Sequence, residues 1–389
     1  MRKWLINKVK HSKLLYRVYY YWGNVLIRLL KLFVSTDNEL ILFVSFGGKK
    51  YDDSPRAIFE QMLKDSRFSR HKFVWAFVTP NAYNVHNAIK VKIDTLKYYL
   101  IALKARVWIT NSSIERGLSF KNERTFFLNT WHGSAIKKMG SDIAEQNDGF
   151  KSKGKSKVDI MSAQGEYDVQ IFSNVFSIPS DSFRIIGLPR NDKFSSYTED
   201  YRNEILDILG LDKQKKIILY APTYREYEFD SNGNYLDSPI NVETLRESLG
   251  SKYVLLFRAH YAVSKYMAIK NDDFIRDVSN YPKLEDLMIA SDILISDYSS
   301  IIFDYSIMPK PIICFTYDYD KYKRERGVYF DVRDYFLSAS SQKDLIKQLI
   351  SLDYDNAVIK TEVFRAKFVS SYGNASAECL NIIAKELRL

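Results

Sequence analysis

The chain alternates between short, almost wholly apolar runs and longer segments with a three- to four-residue apolar rhythm. Leu40 to Ser45, Leu-Ile-Leu-Phe-Val-Ser, has no polar position before its last residue. It reads as a strand buried on both faces, as in a parallel sheet. It ends in Phe-Gly-Gly-Lys-Lys. A helix is predicted from Pro55 to Lys64, a strand at Lys72 to Val78, a helix at Leu96 to Leu103, and strands at Val107 to Thr110 and Thr125 to Leu128. The alternation resumes near residue 200. Strands are predicted at Ile217–Tyr220, Tyr253–Phe257, Phe274–Asp277, Ile293–Ile295 and Pro311–Phe315. Helices are predicted at Val242–Leu249, Leu345–Ser351 and Ala375–Leu387. Strands alternating with helices imply parallel, doubly wound sheets. Gly and Pro interrupt the pattern in Gly187 to Lys193, which sets the expected boundary between two domains.

Ahead of the first strand the rhythm differs. From Leu15 to Phe33, apolar residues recur at three- and four-residue steps, one face of a helix. Residues 1 to 34 carry eight Lys or Arg and no acid, so they account for eight of the ten net positive charges. The basicity is thus local rather than a nucleic-acid footprint. The longest uncharged run there, Val18 to Ile27, is too short to cross a bilayer, and no small-residue cleavage site follows it. A basic amphipathic helix with Trp4 and Trp22 suits an anionic membrane surface. The alternative is a helix packed on the protein's own core.

The 389 residues suffice for two domains, and the 46% hydrophobic and 27% charged shares are those of a globular protein. Two cysteines, Cys314 and Cys379, lie beside apolar residues, which argues against a disulfide framework. No Cys/His cluster has metal-ligand spacing, and no cofactor is expected. Lys151 to Lys157, Lys-Ser-Lys-Gly-Lys-Ser-Lys, reads as a basic loop able to close over an anionic substrate.

Candidate chemistry lies directly after strands, where open α/β sheets bind ligands. His132 stands in Asn-Thr-Trp-His-Gly-Ser-Ala-Ile-Lys-Lys-Met-Gly, residues 129 to 140. An imidazole at a turn, with Gly133 beside it and Lys137 and Lys138 following, combines a proton acceptor with charge that holds phosphate. Ser299 and Ser300 sit where a helix is expected to start, with Asp304 one turn on. Unpaired amides there favour phosphate, although Asp297 or Ser299 acting only as a cap fits the same pattern. Arg258 and His260 follow one strand, and Thr223 and Arg225 another. Together these outline a diphosphate pocket in the second domain, which His132 is expected to face from the first.

These residues carry a resemblance. Thr-Trp-His-Gly-Ser-Ala-Ile-Lys-Lys-Met-Gly, Gly-Leu-Pro-Arg-Asn-Asp, Tyr-Ala-Pro-Thr-Tyr-Arg-Glu, Arg-Ala-His, Ser-Asp-Tyr-Ser-Ser-Ile-Ile-Phe-Asp-Tyr, Pro-Ile-Ile-Cys-Phe-Thr-Tyr-Asp and Gly-Val-Tyr-Phe-Asp occur in this order over roughly residues 40 to 370. The set resembles the CDP-glycerol glycerophosphotransferases of teichoic acid synthesis, in their short form. Ala259 departs from the family's usual proline, and Ser134 from its threonine.

The resemblance implies an α/β, GT-B-like fold of two facing Rossmann-type domains with an N-terminal amphipathic helix. The implied segments are residues 1–36 (membrane-associating helix), 37–190 (acceptor domain), 191–373 (CDP-polyol domain) and 374–389 (a helix at the domain junction). It implies transfer of glycerol phosphate or ribitol phosphate from a CDP-polyol to a lipid-linked saccharide or polymer, at the cytoplasmic face of a bacterial membrane. His132 and His260 would be catalytic. Thr223, Arg225, Arg258, Ser299, Ser300 and Asp304 would bind the donor, and Gly133, Lys137 and Lys138 would position the acceptor. A GT-B glycosyltransferase using a nucleotide sugar, and a non-enzymatic membrane scaffold, are the rival readings.

Overall fold

The computed structural model describes residues 12–143, 157–223, 225, 239–259 and 269–389. The basic run at 151–156, His260 and the segment holding Trp4 lie outside them. The chain divides into two compact units. The first is residues 1–132, 140–192 and 374–389; the second is 133–139 and 193–373.

The first unit opens with helix α1 (Lys13–Lys31). Strand β1 (Asp37–Val44) follows, then α2 (Asp53–Met62), β2 (Lys72–Phe77), β3 (Ile89–Lys92), α3 (Leu96–Lys104), β4 (Ala105–Thr110), β5 (Phe126–Asn129), β6 (Ile160–Ala163), α4 (Glu166–Phe176) and β7 (Phe183–Ile185). The strands form one parallel sheet in the order β3-β2-β1-β4-β5-β6-β7. Leu40 to Val44 is buried throughout, as its unbroken apolar run requires. Phe43 stacks on Trp75 at 5.2 Å, and Phe59 of α2 meets Phe43 edge-on at 5.3 Å. The closing helix, Ala375–Leu387, belongs to this unit. It packs on α2 and adds Cys379, Leu380 and Ile383 to the core.

The second unit contains α5 (Glu199–Leu209), β8 (Lys216–Tyr220), α6 (Val242–Leu249), β9 (Tyr253–Phe257), β10 (Ile275–Asp277), α7 (Leu284–Ala290), β11 (Ile293–Ser296), α8 (Ile301–Tyr305), β12 (Ile312–Phe315), α9 (Tyr319–Arg326), β13 (Leu337–Ala339), α10 (Gln342–Ile350) and α11 (Tyr354–Phe368). Its parallel order is β10-β9-β8-β11-β12-β13. Both sheets thus have the doubly wound order in which the first strand lies at the centre and the chain then changes direction. That reversal falls between β1 and β4 in one sheet and between β8 and β11 in the other, and ligands bind at such points.

The chain passes between units at Asp192 and Lys193, inside the expected Gly187–Lys193 boundary, whereas residues 133–139 join the second unit rather than the first. The reason is main-chain pairing. Tyr329 N donates to Ile136 O at 2.8 Å, Lys138 N donates to Gly327 O at 3.1 Å, and Lys137 bridges Val328 in antiparallel fashion.

Helix α1 answers the choice posed by its sequence with two faces. On one, Ile27 is buried. Tyr19 OH donates to Arg116 O at 3.0 Å, Asn24 Oδ1 accepts from Ser119 N at 2.9 Å, and Lys31 Nζ donates to Lys121 O at 3.0 Å. On the other, Leu15, Val18, Trp22, Leu26, Leu29 and Phe33 are exposed, with Arg17 and Arg28 also in solvent. No helix among the described residues is long and apolar enough to cross a membrane.

Candidate functional site

In the first unit the candidate site forms from the loops that leave β1, β4 and β5. Asn129, the last residue of β5, holds the turn. Its Oδ1 accepts from Trp131 N at 2.9 Å, and its Nδ2 donates to Ser112 O at 3.1 Å. Trp131 adopts φ +49°, a left-handed conformation costly for a bulky residue. Its ring is fixed between the His132 imidazole, 4.0 Å away, and Phe176 of α4, 4.5 Å away. His132 is half-buried, and its Nδ1 lies 2.8 Å from Asn111 O. A carbonyl only accepts, so Nδ1 carries a proton, and in the neutral ring the lone pair is on Nε2. That tautomer makes Nε2 a proton acceptor.

In the second unit Asp297, just after β11, organises the loops. It is buried. It accepts from Thr223 N at 2.9 Å, Thr223 Oγ1 at 2.5 Å, Arg225 Nη1 at 2.6 Å and Tyr298 N at 2.6 Å. Arg225 is buried as well. Its Nε and Nη2 form a fork on Asp318 at 2.9 Å each, and its guanidinium lies 5.2 to 5.3 Å from the rings of Tyr298, Tyr317 and Tyr322. Burial disfavours its charge, but Asp297 and Asp318 outweigh that and hold it protonated above the usual arginine range. Enclosed by two carboxylates, Arg225 ties the loops after β8, β11 and β12 together. Thr223 gives its hydroxyl proton to Asp297 as well.

Ser299 and Ser300 are half-buried immediately before α8, whose five residues make it a single short turn. Ser299 Oγ accepts from Ile301 N at 3.4 Å. Asp304 is buried inside α8. Arg258 leaves β9 and donates from Nη1 to Val278 O at 3.0 Å and Tyr281 O at 2.8 Å. The structure therefore gathers Thr223 and Arg225 around Asp297, beside Ser299 and Ser300. Arg258 is anchored on the loop after β10. Among the described residues no cluster of His, Cys, Asp or Glu has the arrangement of a metal site.

Residues 26–385 match the family described as CDP-Glycerol:Poly(glycerophosphate) glycerophosphotransferase. The chain belongs to this family. It is 35% identical to a teichoic acid glycerol-phosphate transferase of Staphylococcus aureus, covering 90% of this chain and 94% of the relative. Against a teichoic acid glycerol-phosphate primase of Bacillus subtilis the identity is 29%, covering 96% and 99%. The structure of a variant of the wall teichoic acid polymerase TagF soaked with CDPG aligns at a TM-score of 0.84. Its identity is 31%, and 93% of this chain and 92% of that one are covered.

As a member of the glycerophosphotransferase family, the chain uses several of its motifs for architecture. In Gly-Leu-Pro-Arg-Asn-Asp, Arg190 Nη1 pairs with the buried Asp53 at 2.5 Å, and Asn191 Nδ2 donates to Gln164 Oε1 at 3.1 Å. Asp192 accepts from Ala375 N and Ser376 N at 2.7 Å each, capping the closing helix. Gly133 takes φ +137°, and the main chain around Lys137 and Lys138 is pinned to Gly-Val-Tyr, residues 327–329. Sequence reasoning missed Asn111, Asp53 and Asp318. Asn111 holds His132 through its carbonyl, which any residue has, and the two aspartates are far in sequence from their arginines.

Proposed function

We propose that the chain transfers glycerol phosphate, or ribitol phosphate, from a CDP-polyol to a hydroxyl of a lipid-linked acceptor, releasing CMP, in synthesis of teichoic acid or a related surface polymer. The observation that carries the chemistry is the 2.8 Å contact of His132 Nδ1 with Asn111 O. It directs the basic Nε2 to the acceptor hydroxyl. As that oxygen attacks the β-phosphorus, its proton passes to Nε2. The phosphoanhydride bond to CMP breaks, and CMP leaves as the anion. Arg258 and the backbone before α8, with Ser299 and Ser300, stabilise the diphosphate, and His260 contributes from outside the described residues. Asp297 and Arg225 keep those loops in place. Catalysis is then chiefly positioning and charge stabilisation, with no cofactor.

The exposed apolar stripe of α1, flanked by Arg17 and Arg28, is assigned to an anionic membrane surface on the inner face of the cell membrane. There the enzyme meets its lipid-linked acceptor. The deciding experiment is a donor panel of CDP-glycerol, CDP-ribitol and UDP-sugars with a lipid-saccharide acceptor. CMP release supports the proposal. UDP release without CMP overturns it in favour of a glycosyltransferase.

A further inference from the structure

We propose that the loop after β1, Phe46 to Lys50, forms with Arg116 a subsite beside His132 for a phosphate ester carried by the acceptor. The inference rests on the function proposed above and specifies which acceptors that site takes.

The loop is built for a fixed shape. Phe46, Gly47 and Gly48 take φ values of +46°, +61° and +82°, three successive left-handed residues. Their amides are tied down: Phe46 N to Asn111 Oδ1 at 2.8 Å, Gly47 N to Ser112 Oγ at 2.9 Å and Gly48 N to Ser45 O at 2.8 Å. Asn111 therefore holds the loop through its side chain and His132 through its carbonyl. One residue sets the distance between the two.

The loop carries two lysines and meets the imidazole through the Phe46 ring. The Phe46 ring lies 5.6 Å from that of His132, and Lys50 Nζ stands 5.4 Å from the same Phe46 ring. Lys49 and Lys50 are exposed. The Lys50 ammonium, largely in solvent, is 4.0 Å from the half-buried Asp52, a long contact that binds it weakly. Arg116 uses Nε and Nη2 on Asp94, at 2.8 and 3.2 Å. Its Nη1 lies 3.3 Å from where a Cβ on Gly47 would stand, which places the guanidinium against the loop. The lysines supply net positive charge, and Arg116, neutralised by Asp94, supplies directed N–H groups. The proposed reaction assigns the donor diphosphate to Arg258, Ser299 and Ser300 and gives this cluster no role. A polyol phosphate has a hydroxyl at one end and a phosphate at the other. Phosphate on the lysines would therefore bring the hydroxyl towards Nε2.

The test uses the full chain, CDP-glycerol and three synthetic acceptors: a neutral alkyl disaccharide, the same disaccharide ending in glycerol phosphate, and one with an alkyl diphosphate at its lipid end. The wild-type protein is expected to prefer a phosphate-bearing acceptor over the neutral one. In the double variant Lys49→Ala/Lys50→Ala the ratio of their kcat/KM values is expected to fall about tenfold. Lys49→Arg/Lys50→Arg is expected to restore most of it. The arm in which the ratio falls identifies the ester as terminal polyol phosphate or lipid-side diphosphate. An unchanged ratio in a folded Ala variant, or a wild-type protein indifferent to acceptor phosphate, overturns the subsite while leaving the transferase intact. Absence of CMP release from the wild type with every acceptor overturns the transferase and the subsite together.

Discussion

Arg225→Ala tests whether Arg225 braces the second unit's loops or binds donor. The guanidinium is 1% exposed, and it pairs with Asp297 and Asp318, whose side chains are 2% and 8% exposed. Removing it leaves two carboxylates in a poorly solvated place. Asp297 retains the Thr223 amide and hydroxyl and the Tyr298 amide, whereas Asp318 loses both arms of its fork. Breaking a buried pair from one side costs about 3–5 kcal/mol. For a unit of this size that corresponds to a fall in Tm of roughly 10 °C. Arg225→Lys keeps the charge but offers one compact ammonium in place of a planar fork, so an intermediate loss is expected. Thermal unfolding followed by circular dichroism, together with equilibrium binding of CDP-glycerol below the transition, separates bracing from ligand contact. If Arg225→Ala melts within about 2 °C of wild type yet loses donor binding, the bracing role is refuted and Arg225 is a ligand.

His132→Ala is expected to lower kcat by about 100- to 10,000-fold while CDP-glycerol still binds, measured by CMP release and calorimetry; retained turnover removes His132 as the base. Burial pulls Lys310, whose Nζ donates to Ile289 O at 2.8 Å and Ser291 O at 2.7 Å, down to about 7. Between about pH 7 and the ordinary lysine range the unfolded chain then binds the extra proton, so this residue's destabilisation is full below pH 7 and is relieved as pH rises. Urea unfolding of wild type should accordingly gain stability over Lys310→Met by up to about 1.4 kcal/mol per pH unit above pH 7, and parallel curves would contradict this. Gly48→Ala must hold φ +82° with its Cβ 3.1 Å from Ala76 O, and is expected to lose about 2 kcal/mol in the same assay; no loss would show that the loop relaxes. The double substitution Leu26→Glu/Leu29→Glu on α1 should reduce sedimentation with phosphatidylglycerol vesicles at least about tenfold without lowering Tm, and undiminished binding would reassign the stripe.

Long apolar strands and strongly amphipathic helices were legible without coordinates. Val242–Leu249, Tyr253–Phe257 and Ala375–Leu387 are found with the expected limits. Short strands such as β3, β7 and β13 went unread, because three or four residues carry too little periodicity. Helix α11 also escaped, since its apolar positions are not confined to one face. At the site, His132 was marked by its neighbours in sequence, but its tautomer was not, because that depends on a carbonyl 21 residues away.

Sequence alone determined the alternation of elements, the family, the local basicity of the first segment and the identity of the candidate base. All of these are written in residue type and short-range order. Tertiary structure decided which charges are spent. It enclosed Arg225 between Asp297 and Asp318, moved residues 133–139 into the second unit through pairing with 327–329, and set the Phe46 ring, with Lys50 over it, next to His132. The physical reason is that an ion's role is fixed by its partners and its exposure. Those partners come from strand ends that are distant in the chain and meet only when the sheets form.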